Sequence, residues 1–239
     1  MARKIVVASG KGGVGKTTVT IGLGKALAAG QKRVLIVDFD NLRSVDLMLG
    51  AAQDVVFDWG DVIKGRCAPE EALLQKQGVS FFACPPSYDG ITPQQVRDLI
   101  QKIEADYDYI LFDAPAGIGT GLLLAAAAAQ RAIVVATPDL VCVRSACRAA
   151  QELEGQGIQN SRLVINRAVR RDIRRKLLLN IDDVIDATGV QLIAIIPEDR
   201  RLRSAGMEGI VYLPGQVSFD AFTNLSLRVQ GRNVPLAFV

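Results

Sequence analysis

The chain has 239 residues, enough for one large α/β domain or two small ones. Hydrophobic residues make up 49% and aromatics only 5%, so the apolar mass is Ala, Val, Leu and Ile, as in buried parallel strands packed by helices. A net charge of +3 is too mild to imply nucleic acid by itself, and the lack of histidine excludes imidazole acid–base chemistry and the commonest zinc ligand.

Residues 4–9 (KIVVAS) read as a buried strand running into Gly10-Lys11-Gly12-Gly13-Val14-Gly15-Lys16-Thr17-Thr18. This is the GxxxxGK[ST] pattern in the strand–loop–helix setting that gives it meaning. Glycines let backbone N–H groups turn inward around phosphate oxygens, and a helix starting near Thr17 aims its positive end at them. Lys16 supplies a point charge to β- and γ-phosphates, the Thr17 hydroxyl is placed to ligate Mg²⁺, and Thr18 donates to the α-phosphate. Since the N-terminal apolar stretch is this strand, no signal peptide is expected.

A helix over 17–29 leads to a strand at 33–38 (RVLIVD), which ends on Asp38 with Asp40 just beyond. A strand at 79–84, a helix over 93–104 and a strand at 109–113 (YILFD) follow. Asp113 ends that last strand beside the phosphate loop, where an acidic residue anchors the Mg²⁺ shell. The helix over 119–130 is rich in alanine, which suits close packing on a sheet, and its apolar run at 122–129 is far too short to span a bilayer. A strand at 132–137, a helix over 141–154, and strands at 162–166 and 191–196 complete the alternation. It predicts an α/β fold with a doubly wound, mainly parallel sheet, the P-loop NTPase fold, as one domain over 1–239. Ligands in such sheets bind at the carboxyl ends of the strands, where each of these polar residues falls.

Arg167, Arg170, Arg171, Arg174, Arg175 and Lys176 form the densest positive run. It lacks interleaved aromatics and a DNA-reading motif, and Asp172, Asp182, Asp183 and Asp186 balance it, so a solvated face is preferred over a DNA or lipid site. The segment 218–228 spaces Phe219, Phe222 and Leu225 for core packing, and Gly231 and Pro235 oppose its continuation, so no C-terminal amphipathic membrane anchor is read. Cys67, Cys84, Cys142 and Cys147 lack CxxC spacing and read as buried free thiols of a reducing compartment.

Lys11 adds a second lysine that phosphate cradling does not require. With it, GKGGVGKTT resembles the deviant Walker A ATPases, the group of MinD, ParA and the nitrogenase iron protein. The likeness runs nearly end to end and is stronger to MinD than to ParA. It rests on VDFD, LRSVDLMLG (42–50), DAPAGI (113–118), TPDLVCVR (137–144), INR (165–167), NIDDVID (180–186) and IIPED (195–199).

The resemblance implies ATP/ADP with Mg²⁺, slow partner-stimulated hydrolysis, and an ATP-dependent homodimer in which Lys11 reaches the partner's phosphates. Lys11, Lys16 and Asp40 would be the catalytic set, with Asp40 orienting the attacking water. Asp38 would support Lys16 and the switch after Asp113, standing with Thr17 and Asp113 around the metal. Asn166 matches the position that reads the adenine edge, and Pro197-Glu198-Asp199 the loop whose backbone lines the base. A cytoplasmic protein with a regulatory or cargo protein as partner is the expectation, with peripheral association at the inner face of the cell membrane left open.

The chain departs from MinD at Gly119, where glutamate is usual, and at Ser145 and Cys147, where aspartates meet the signature lysine and help couple to MinE. The segment after Asp40 is one residue short. Two readings remain beside a division-site switch: a ParA-like partitioning ATPase on DNA, and a nucleotide-binding scaffold with little turnover. A nitrogenase-type electron carrier is disfavoured by the lack of a cysteine at the switch after Asp113, and a metabolic kinase by the lack of a readable lid or acceptor-binding domain.

Overall fold

In the computed structural model, residues 1–203 and 214–236 are described. Eight strands form one sheet: β1 (Arg3–Ser9), β2 (Val34–Asp38), β3 (Leu74–Lys76), β4 (Val79–Phe82), β5 (Tyr109–Ala116), β6 (Arg131–Ala136), β7 (Ser161–Ala168) and β8 (Leu192–Pro197). Their order is β3-β4-β2-β5-β1-β6-β7-β8, and every neighbouring pair is parallel except β3 with β4. β1 therefore stands at the centre, where the strand order turns, and its carboxyl end opens the phosphate loop between β5 and β6.

Each of the seven expected strands is present. β5 runs on through Ala116, pairing Ser9 with Ala116 past an irregularity after Val7. β3 was not expected: it is a three-residue antiparallel edge joined to β4 by Gln77-Gly78, both at positive φ.

The major helices are α1 (Lys16–Ala29), α5 (Pro93–Ile103), α6 (Thr120–Ala127), α7 (Leu140–Gly155) and α11 (Phe219–Val229), within about two or three residues of the ranges read from the sequence. The pleat sends alternate side chains to opposite layers. Ile5, Val7, Ile36 and Leu111 meet α1 and α11 on one face, while Val6, Leu35, Ile110 and Phe112 meet α5, α6 and α7 on the other. In the first layer Phe222 of α11 lies against Gly22 of α1.

Short helices fill the connections: α2 (Ser44–Met48), α3 (Trp59–Ile63), α4 (Pro69–Ala72), α8 (Arg170–Arg174), α9 (Ile181–Thr188) and α10 (Arg200–Arg203). Their ends carry recognisable chemistry, such as the Asp58–Asp61 capping box before α3 and Asn180 capping α9. After α11 the chain folds back, and Asn224 and Arg228 donate to the carbonyls of Pro235 and Val234. Among the described residues, no helix is long and apolar enough to cross a membrane. All four cysteines are free, and Cys67 and Cys147 are half-buried where burial was expected.

Candidate nucleotide site

The loop after β1 delivers Lys16 and Thr17 to the first turn of α1, and β5, its neighbour in the sheet, delivers Asp113. Asp113 is fully buried and gathers three donors. Thr17 Oγ1 donates to Oδ2 at 2.7 Å, Thr20 Oγ1 to Oδ1 at 2.6 Å, and Lys16 Nζ lies 3.5 Å from Oδ2. The motif gives Lys16 and Thr17. Thr20, one turn further along the same helix face, lies outside that motif.

This set fits a magnesium nucleotide. With its proton committed to Asp113, the Thr17 hydroxyl keeps lone pairs for a hard cation, and Lys16 brings charge for phosphate. No cluster of three His, Cys, Asp or Glu able to hold a metal occurs among the described residues.

The loop is pinned from both sides. Asn166, buried at the end of β7, donates Nδ2 to the Val14 carbonyl at 2.8 Å. Gly15 sits at φ 87°, and a Cβ there would stand 2.3 Å from that Nδ2, so the residue must be glycine. At Gly10 a Cβ would stand 1.9 Å from the Ser145 carbonyl oxygen, which packs the loop directly on α7. Thr18 is half-buried, while Lys11, Gly12 and Gly13 are exposed at the rim.

Asp38 is paired in register with Asp113 on the adjoining strand and is fully buried. Its carboxylate accepts the amide of Asp40 at 2.8 Å and of Val45 at 3.2 Å, so it braces its own loop. Burial, then the charge of Asp113, push its carboxyl well above the usual carboxylate range, against those two amides and Lys16. Asp40 is half-exposed and turned to the loop, its Oδ1 accepting Leu42 N.

Two aromatics unremarked in the sequence hold this strand end. Trp59 Nε1 donates to Asp38 O at 2.7 Å, and Tyr88 OH donates to Phe39 O. The two rings stack at 6.1 Å, and Phe39 packs on Trp59 at 4.8 Å. Arg43, at φ 54°, pairs with buried Asp46 at 2.6 Å and fixes the rest of the loop.

Lys11 acts on Asp139, the cap of α7. Burial opposes ionisation there, but Thr137, Cys142 and the Lys11 charge hold the Asp139 carboxyl below its usual range. Ser145 Oγ turns back to the Val141 carbonyl of its own helix. Gly119, ahead of α6, has extended backbone and open space where a Cβ would be. At the proposed base end, Glu198 N bonds Ala168 O, Arg167 lies 3.9 Å from Glu198, and Pro197 closes β8. Asp199 is buried and accepts from Ser218 N and Oγ, tying this loop to the start of α11. Of the basic run, Arg170, Arg171, Arg174, Arg175 and Lys176 are exposed.

Residues 5–212 match the family model described as the CobQ/CobB/MinD/ParA nucleotide binding domain. The septum site-determining protein MinD of Synechocystis is 36% identical over 248 aligned positions, covering 98% of this chain and 92% of that protein. Among solved structures, a MinC:MinD cell division protein complex from Aquifex aeolicus superposes with a TM-score of 0.91 at 32% identity, over 98% of both chains. MinD of Pyrococcus horikoshii complexed with Mg-ADP gives 0.84 at 30% identity, over 96% of both.

Proposed function

The chain belongs to the CobQ/CobB/MinD/ParA nucleotide-binding family as a MinD-like ATPase, and from that premise we propose that it is an ATP-dependent dimerisation switch that positions the division site. The convergence of Lys16, Thr17 and Thr20 on Asp113 at the head of the phosphate loop carries the reading.

Thr17 would hold a Mg²⁺ ion, with Asp113 and Asp38 supporting it, and the ion would supply charge neutralisation at the phosphates. Lys16 offsets negative charge that builds on the phosphoryl group during transfer to water. Asp113 fixes the Thr17 rotamer and the Lys16 ammonium before the reaction, so little reorganisation is left for the chemical step. Asp38, Trp59 and Tyr88 hold the loop that presents Asp40, whose carboxylate accepts a hydrogen bond from the attacking water. The backbone of Gly10–Thr18 holds the phosphates, while Asn166 and the backbone of Pro197–Asp199 border the base.

Lys11 lies exposed at the rim, where it can cross to the nucleotide of a second copy. A regulatory protein would meet the same rim, with the dimer working at the cytoplasmic face of the membrane. The basic run is a solvated face in this reading, and DNA is not the working surface. Ser145, turned onto its own helix, supports the second reading, a nucleotide-binding scaffold with little turnover.

ATP hydrolysis and light scattering on wild type, Lys11→Ala and Asp40→Ala test the switch. ATP-dependent dimers are expected, lost in Lys11→Ala and kept in Asp40→Ala, which no longer turns over. ATP binding with neither dimer nor turnover would sink the mechanism and leave the scaffold.

A further inference from the structure

At the pole opposite the phosphate loop, the amino ends of β1, β6 and β7 each place an arginine on the sheet face that carries α1 and α11. Register shows this. Ile5 pairs with Arg131 and Ile133 with Arg162, while Arg3 lies two residues before Ile5 and so shares its face. The three step diagonally across neighbouring strands, with Cα atoms about 8 Å apart by strand geometry. Arg228, near the end of α11, closes the set over a cleft of about 300 Å³ floored by Ile5 and Ile133.

No acidic residue lines this cleft. Four arginines elsewhere are in ion pairs: Arg33 with Asp108, Arg43 with Asp46, Arg66 with Asp61, and Arg167 with Glu198. Among the described residues none of the four cleft arginines is in an ion pair. Arg162 and Arg228 each spend one N–H on a backbone carbonyl (Ser161 and Val234), and Arg3 donates both to the Val229 carbonyl and to the Tyr109 hydroxyl at 3.2 Å, which fixes their direction and leaves the remaining donors of each fork. Arg3 also lies over the Tyr109 ring at 5.8 Å. Arg131 is exposed, and its side chain makes no hydrogen bond or ion pair with any described residue. Four like charges held together with no counter-charge form a positive concavity, and guanidinium forks match phosphate oxygens in pairs.

We propose that this cleft is a second anion site, separate from the phosphate loop, that takes a phosphate group carried on an organic body. The forks of Arg131 and Arg162 bind the phosphate, and the apolar floor receives what it is attached to. A soluble phosphorylated compound and a phospholipid headgroup share this chemistry.

The test uses the full chain with the phosphate loop saturated by Mg-ADP. Inorganic pyrophosphate is titrated by calorimetry, and vesicles of pure phosphatidylglycerol are co-sedimented. Wild type, Arg131→Ala/Arg162→Ala and, as a control in the basic run, Arg174→Ala/Arg175→Ala are compared. At least one probe is expected to bind wild type and the control alike and to bind the cleft variant at least tenfold more weakly. Loss confined to pyrophosphate assigns a soluble ligand, and loss confined to vesicles assigns a headgroup. Arg131→Gln removes the charge of an exposed side chain that makes no hydrogen bond or ion pair with a described residue. It is expected to weaken the same probe several-fold with an unchanged melting temperature, which separates binding from folding. Equal binding by wild type and both cleft variants, or no binding of either probe by wild type, would overturn the proposal.

Discussion

The peptide bonds linking Asp38 to Asp40 are held by side chains from outside the loop. Trp59 grips the Asp38 carbonyl and Tyr88 that of Phe39, while Asp38 itself holds the Asp40 amide. In Trp59→Phe the buried carbonyl loses its donor, which costs about 1–3 kcal/mol of stability. The same change loosens the placing of Asp40 without touching Lys16. We expect kcat to fall several-fold with KM for ATP nearly constant, checked by steady-state kinetics beside a thermal melt. Lys16 and Thr17 could be found from the sequence because their spacing belongs to the GxxxxGK[ST] phosphate-loop pattern. Thr20 could not, because a threonine on an inward helix face is also ordinary core, and its partner Asp113 lies 93 residues away. Trp59 and Tyr88 are hidden for the same reason: hydrogen bonds to backbone carbonyls leave no local pattern.

Among the elements, α1 carries the most conflicting demands. Lys25 on this helix is only 6% exposed, contacts Gln77 in the β3–β4 turn, and is pushed by burial down to about 8. The unfolded chain keeps that proton to about pH 10.5, so between pH 8 and 10.5 the unfolded state binds more protons and stability rises with pH. Below pH 8 the folded helix carries a poorly solvated charge. Lys25→Met should therefore raise stability at pH 7 by about 1–2 kcal/mol and flatten that rise, as read by urea unfolding across the pH range. On the neighbouring helix, Phe222 is buried against α1, and Phe222→Ala is expected to cost about 3–5 kcal/mol in the same assay. The long buried elements were legible because their apolar runs are continuous. β3 was not, since Leu74–Lys76 is a half-buried edge, and its one local signal was the Gln77-Gly78 turn, both residues at positive φ.

The molecule as a whole has two unlike poles. At the carboxyl ends of the strands, Leu42, Leu47, Ile118, Leu140 and Val141 stand exposed around the phosphate loop, while arginines crowd the amino ends. An apolar rim around a nucleotide site supports a face that a second copy covers. Leu140→Glu tests this cleanly, because an acidic residue in the first turn of α7 suits the helix dipole and leaves the fold in place. ATP-dependent dimers should disappear in light scattering while nucleotide binding persists.

The chain contains a single tryptophan, and its indole N–H is the group that holds the strand end between Asp38 and Asp40. Its emission therefore originates at one known peptide, with Phe39 and Tyr88 as neighbours. Any shift of that peptide as ATP is bound, split or released changes the hydrogen bond on the excited ring. The chain thus carries its own optical probe, and the proposed switch can be timed by stopped flow without a label.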